Sequence, residues 1–158
     1  MQALFHHSDS DLDVIVTELL AALNARDAIA ASRFWAVEFS SVEETGRRKQ
    51  RKRESVREGL AGLFAAFPDL RVATRELHCH GDRVVVFWIA EGTHLGVFLN
   101  IPATGREVAV AGASSIRFGS GEIVSEIHLW DAAALLRQMR LLPTWPQRNS
   151  SHDDREAS

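Results

Sequence analysis

The sequence predicts an α+β domain in which helices gather on one face of a curved antiparallel sheet, forming a cone around a single ligand pocket. Three observations carry that expectation. Apolar residues recur at helical spacing through the first part of the chain. From Leu70 onward the pattern changes to extended β-branched and apolar runs separated by Gly-containing turns. One short helical stretch then follows the last extended run. Helices first, then sequential strands joined by tight turns, favour an antiparallel sheet with its helices segregated to one face.

The first helix runs from Asp11 to Ala25, with Val14, Ile15, Leu19, Leu20 and Leu23 at helical spacing and Ser10 or Asp11 as cap. Asp27 caps a second, shorter helix through Phe34, and Val37 to Val42 alternates as a short strand. The stretch Arg47 to Arg53 places six positive charges in seven residues and reads as a solvated loop, because an uninterrupted charge run is not buried. In the third helix Ser55 and Glu58 match a capping box, Val56, Leu60, Leu63, Phe64 and Phe67 form one stripe, and Pro68 ends it. Leu70 to His80 and Arg83 to Gly92 form a hairpin about Gly81-Asp82. Its second strand, with Val84 to Ile89 apolar on both faces, is expected centrally in the sheet and covered on both sides. A loop with Pro102 and Gly105 leads to a strand from Glu107 to Phe118, whose small residues Ala109 to Ser115 allow bending around a cavity. Ser120-Gly121 turns the chain into Glu122 to Trp130, and Asp131 caps a terminal helix carrying Leu135, Leu136 and Met139. One domain over 8–146 and a polar, disordered tail over 147–158 follow.

Composition narrows the function. At 158 residues a single domain buries about two-thirds of its unfolded surface, enough to afford a pocket. No apolar run approaches the ~20 residues of a membrane span, and Met1 to His7 lacks the basic and apolar regions of a signal peptide, so a cytoplasmic protein with no membrane partner is expected. Cys79 is the only cysteine, which excludes an internal disulfide or a Cys-based zinc site. A net charge of -3 argues against nucleic acid as partner. The basic run is the local exception, able to steer an acidic carrier protein or an anionic substrate.

Seven histidines and no tyrosine direct attention to imidazole as the acid/base near neutral pH. With a two-residue turn at Ser120-Gly121, Glu126, His128 and Trp130 share a face with Ala111, Ala113, Ser115 and Arg117, small side chains that leave room for a ligand. His128 is then either a pocket acid/base tuned by Glu126 or Arg117, or a histidine on an outer face. His94, after a central strand, either overhangs the cavity mouth or holds loop backbone. His78 and His80 share one side of a strand, but no third ligand completes a metal site. Asp131 is a cap before it is a catalyst. Trp35, Glu38, Phe39, Trp88, Arg117 and Trp130 complete the candidate substrate-binding set.

Several motifs occur in order: Phe67-Pro68-Asp69-Leu70, Gly81-Asp82-Arg83-Val84, Gly92-Thr93-His94-Leu95-Gly96, Ile101-Pro102-Ala103-Thr104-Gly105-Arg106, Gly121-Glu122-Ile123-Val124, Trp130-Asp131 and Leu135-Leu136-Arg137-Gln138. Over Ser55 to Pro143 the chain resembles the SnoaL-like polyketide cyclases, a branch of the nuclear-transport-factor-like fold. The resemblance implies a cofactor-free enzyme closing a ring by intramolecular aldol chemistry on a polyketide-derived ester, usually as a dimer or tetramer. It places the family's acid/base residue at His128 and its histidine after Gly-Thr at His94. Family members commonly carry a carboxylate at the position of His128, so the acid is supplied by Glu126, by Asp131 or by the imidazole itself. Epoxide opening by a carboxylate with Arg117, and binding without catalysis, are the alternatives.

Overall fold

The computed structural model describes residues 9–42 and 46–143. The tail expected over 147–158 and the outermost residues of the expected domain lie outside the described residues. In chain order the elements are α1 (Asp9–Asn24), α2 (Ala28–Ser32), β1 (Trp35–Val42), β2 (Arg48–Lys52), α3 (Arg53–Ala66), β3 (Arg71–His80), β4 (Arg83–Thr93), β5 (Glu107–Gly119), β6 (Glu122–Trp130) and α4 (Ala132–Gln138). The strands form one six-stranded sheet in the order β2-β1-β6-β5-β4-β3. From β3 to β6 the neighbours are antiparallel, as the turns require, but β1 lies parallel to β6 and makes the sheet mixed. That correction has a simple origin. The connection from β1 to β6 passes through most of the domain, so no hairpin dictates its sense.

Helix α1 buries Leu12, Val16 and Leu19, while Val14, assigned to the apolar stripe, turns outward. Asp27 caps α2 by accepting from the Ala30 N–H at 2.9 Å, and the helix stops at Ser32 rather than Phe34. The basic run is not a loop. It forms β2, an exposed edge strand antiparallel to β1, and leads directly into α3. Its side chains stay in water, as their charge demands, while its backbone gains a partner on one side; Lys and Arg on an edge strand also discourage further pairing. Because α3 starts at Arg53, the capping box is not made, and the Ser55 hydroxyl donates instead to the Lys52 carbonyl at 2.7 Å. The helix ends at Ala66, ahead of Pro68.

Ser120 (φ 52°) and Gly121 (φ 82°) form the expected two-residue turn, both left-handed, as a primed hairpin turn needs. The register beyond it slips. Phe118 faces Ile123 but Arg117 faces Ser125, so Val124 is an extra residue on β6 and forms a bulge. Ile116 therefore faces Glu126, Ser114 faces His128 and Gly112 faces Trp130, instead of the Ala111, Ala113, Ser115 and Arg117 set. β4 sends Val84 and Val86 into the core, yet Phe87 on its other face is 43% exposed, so the strand is covered on one side only.

The core has two clusters. Leu12, Val16 and Leu19 of α1 pack with Trp35, Phe39, Val84, Val86, Ile116, Phe118 and Ile123. Phe64, Phe67 and Leu70 pack with Val108, Val110, Leu135 and Met139. Members of both clusters line a cavity of about 550 Å³ between the helices and the concave face of the sheet.

Candidate active site

Alternation along β6 puts Glu126, His128 and Trp130 on the concave face, and all of them line the cavity. Glu126 is buried, and the Trp35 indole N–H donates to its Oε2 at 2.6 Å. His128 Nε2 lies 3.1 Å from the same oxygen. On the far side of the ring, His128 Nδ1 meets the Ser114 hydroxyl at 2.7 Å, and the Trp88 indole N–H donates to that hydroxyl oxygen at 2.9 Å. An unbroken chain results, from Trp35 through Glu126, His128 and Ser114 to Trp88.

Donor chemistry fixes its direction. A carboxylate only accepts, so the contact with Glu126 calls for a proton on His128 Nε2. In the neutral imidazole Nδ1 then accepts from the Ser114 hydroxyl, whose oxygen accepts in turn from the Trp88 indole N–H. Two donors thus converge on Oε2 and offset the cost of placing a carboxylate between apolar walls. The other oxygen, Oε1, has no hydrogen-bond partner among the described residues.

A missing side chain makes this possible. A Cβ built on Gly112 would lie 2.3 Å from the Trp88 ring, so only glycine lets the indole cross β5 and reach Ser114. Trp88 and Gly112 are direct cross-strand partners.

Other expected site residues lie elsewhere. Trp35, Trp88 and Trp130 line the cavity as expected, but Glu38 and Phe39 do not. A register shift between Trp35 and Ser40 leaves Glu38 exposed and Phe39 in the core beside α1, while Ser41 takes the cavity position. Arg117 points to the outer face, its guanidinium 3.8 Å from Asp82, because its neighbours Ile116 and Phe118 face the core; the bulge at Val124 leaves Glu126 and His128 on the other side from it. Asp131 caps α4 by accepting from the Ala134 N–H at 2.8 Å and does not line the cavity. His94 is fully buried rather than overhanging the mouth. Its ring stacks on Phe67 at 5.2 Å, and Nδ1 accepts from the Thr104 N–H at 3.3 Å, which is the role of a histidine holding loop backbone. Phe67 lines the cavity; His94 does not. Residue spacing missed Ser114, and the signal for it was Trp88 standing opposite a glycine two residues away from a serine.

The sequence profile of the SnoaL-like polyketide cyclases matches residues 13–139. The chain belongs to that family. The match reaches through α1, well before Ser55, where the motif resemblance begins. No curated protein sequence matches the chain. Among solved structures, AclR of Streptomyces galilaeus, a candidate hydroxylase, is 24% identical with a TM-score of 0.79 over 89% of this chain and 87% of its own. TsrD of Streptomyces laurentii is 22% identical with a TM-score of 0.77, covering 86% of this chain and 99% of its own. IdmH of Streptomyces antibioticus, a candidate polyketide cyclase, is 25% identical with a TM-score of 0.66, covering 85% and 99%. These similarities establish the curved-sheet fold shared with this SnoaL-like chain. No helix among its described residues is long and apolar enough to cross a membrane.

Proposed function

We propose that this SnoaL-like protein closes a ring in a polyketide-derived substrate by an intramolecular aldol reaction, with Glu126 as the general base. The observation carrying this reading is the buried Glu126 carboxylate, with one oxygen held by Trp35 and His128 and the other unpartnered in a largely apolar cavity. Glu126 Oε1 takes the α-proton. The resulting enolate carbon attacks a second carbonyl of the same molecule, and the new alkoxide takes a proton back from the Glu126–His128 pair. One C–C bond forms, one C–H bond is replaced by O–H, and no atoms are lost.

The walls supply the remainder. A folded substrate held against Val86, Val110, Ile116 and Trp130 presents its two reacting ends to each other, a positioning effect that lowers the barrier without added chemistry. His128 has both ring nitrogens engaged, so its part is to share the proton with Glu126 rather than to approach the substrate unaided. The family's usual carboxylate position is thus filled by a partner of the carboxylate two residues earlier. Epoxide opening with Arg117 is set aside, because that guanidinium lies on the opposite face of the sheet. The apolar outer face, with Phe87 43% and Leu129 68% exposed, supports assembly as a homo-oligomer.

The test is incubation with linear substrates carrying a 1,3-dicarbonyl ester and a distal ketone, followed by mass spectrometry and carbon NMR. The reading expects a product of unchanged mass with a new quaternary carbinol carbon. Binding without turnover would make the protein a small-molecule binder, and uptake of one water would indicate hydrolysis; either result overturns it.

A further inference from the structure

Of the residues lining the cavity, Arg51 is the one lysine or arginine among those described, and the strand that carries it is built to leave it free. Arg48 and Arg53 flank it on either side. Arg48 donates to the hydroxyls of Ser40 at 3.3 Å and Ser125 at 3.1 Å, tying the start of β2 to the sheet. Arg53 donates to the Trp35 carbonyl and to the Glu122 carboxylate, each at 2.6 Å, tying down the junction with α3. The Arg51 side chain makes no hydrogen bond or ion pair among the described residues. It is exposed on the rim, next to Ser55 and Gly59 of α3, in an edge strand whose other residues are Arg, Lys and Gln.

Register places this cation relative to the base. Arg51 pairs with Phe39, and Ser41, two residues further on, pairs with Glu126. Two strand spacings across and two residues along put the backbones of Arg51 and Glu126 roughly 12 Å apart. A ligand entering the cavity therefore meets positive charge at the rim and a carboxylate at the reacting end. An anionic group is attracted to the first and repelled by the second, so the charges orient the ligand as well as hold it.

We propose that Arg51 is an anion subsite at the cavity rim, and that the substrate of this site carries a carboxylate or phosphate at the end away from the carbon that Glu126 deprotonates. The proposal rests on the reading of the cavity as the substrate site. The anion has two possible sources: a free carboxylic acid, or the phosphate of a phosphopantetheine arm on a carrier protein. The recognition chemistry is the same for both, a guanidinium fork on a planar or tetrahedral oxyanion.

Calorimetric titration tests it on the full chain with paired probes. The first pair is 4-(1-naphthyl)butyrate and its neutral amide; the second is S-(naphthylbutyryl)-phosphopantetheine and the same thioester of pantetheine without phosphate. Wild-type protein should bind at least one anionic member roughly three- to tenfold more tightly than its neutral partner, less so as salt rises. Arg51→Gln should erase the preference and leave the neutral probe's affinity unchanged, while Arg51→Lys should keep part of it. Preference in the first pair alone identifies a free acid, and preference in the second alone identifies a carrier-borne substrate. Equal binding within both pairs, or a preference that survives in Arg51→Gln, overturns the subsite. Glu126→Gln separates this from the proposed reaction: it should lose turnover and retain the anion preference. Cyclisation without any anion preference refutes the subsite alone, and anion preference without cyclisation refutes the reaction alone.

Discussion

The two faces of the sheet are made from alternate residues of the same strands, yet they invert the usual arrangement of polarity. The concave face holds a carboxylate, an imidazole and a serine, each bonded to a neighbour, within walls such as Val86, Val110 and Ile116. The outer face leaves Phe87 and Leu129 open to solvent. Buried polar groups are costly unless paired, and the concave face meets that condition through two indole N–H donors brought from β1 and β4. The outer face instead keeps its polar contacts in water, as between Arg117 and Asp82, and leaves large apolar side chains exposed beside them. The comparison teaches that function is located by the pairing of polar groups, not by their distance from water.

Replacing Glu126, the proposed base, should break the concave side most severely. Glu126→Gln keeps the shape and one acceptor for Trp35, so the fold should persist by circular dichroism, while turnover should fall about 10²–10⁴-fold, the worth of a positioned general base. His128→Ala leaves the carboxylate in place and removes the proton it shares, so the loss should be smaller, at least about tenfold. Turnover unchanged in either variant would remove that residue from the mechanism. Gly112→Ala attacks the network through its geometry. The added Cβ must displace the Trp88 indole and open its bond to Ser114, with an expected loss of about 1–3 kcal/mol in urea unfolding, as for an overpacked core site. An unaltered midpoint would mean that the ring has room the structure does not show.

On the outer side, Leu129→Lys places a charge where the side chain is 68% exposed. The stability of the single chain should move by no more than about 0.5 kcal/mol. Light scattering should nevertheless show a shift toward smaller species, because a lysine cannot be buried cheaply between two copies. If wild type and variant run as the same species, the apolar outer face is not an oligomer interface in this protein.

Much of this division was legible beforehand, for identifiable reasons. Helical and extended periods are local, and the hairpins at Gly81 and Gly121 follow from residues that tolerate positive φ, so the strands from Arg71 to Trp130 were readable in order. Alternation alone also put Glu126, His128 and Trp130 on one face. What faced them was not readable, because one extra residue at Val124 moves every partner by a position while leaving the turn unchanged. The bond from Trp35 to Glu126 joins residues 91 apart, and nothing local announces it. β2 was hidden for another reason: six charges in seven residues carry no period, and its strand character comes from the neighbour it pairs with. His94 sat in a motif that suggested chemistry, yet its burial under Phe67 is a packing outcome that spacing does not encode.

The smallest expected effect belongs to neither face and sharpens the contrast by its modesty. Asp69 sits where the chain leaves α3 for β3, and its carboxylate accepts from the Thr93 hydroxyl at 2.6 Å and the Thr93 N–H at 2.7 Å, closing the end of β4. The hydroxyl first, and then the backbone N–H, hold its carboxyl below the ordinary carboxylate range. A carboxyl whose folded pKa is lowered stabilises the fold above its unfolded pKa, and that contribution disappears as pH falls through the folded value. Asp69→Asn should therefore lower the melting temperature slightly at neutral pH, and the gap between variant and wild type should close in acid. A gap independent of pH would assign the effect to packing around Thr93 rather than to the charge. Because both Thr93 donors are uncharged, added salt should leave that gap nearly unchanged, which separates this bond from an ion pair.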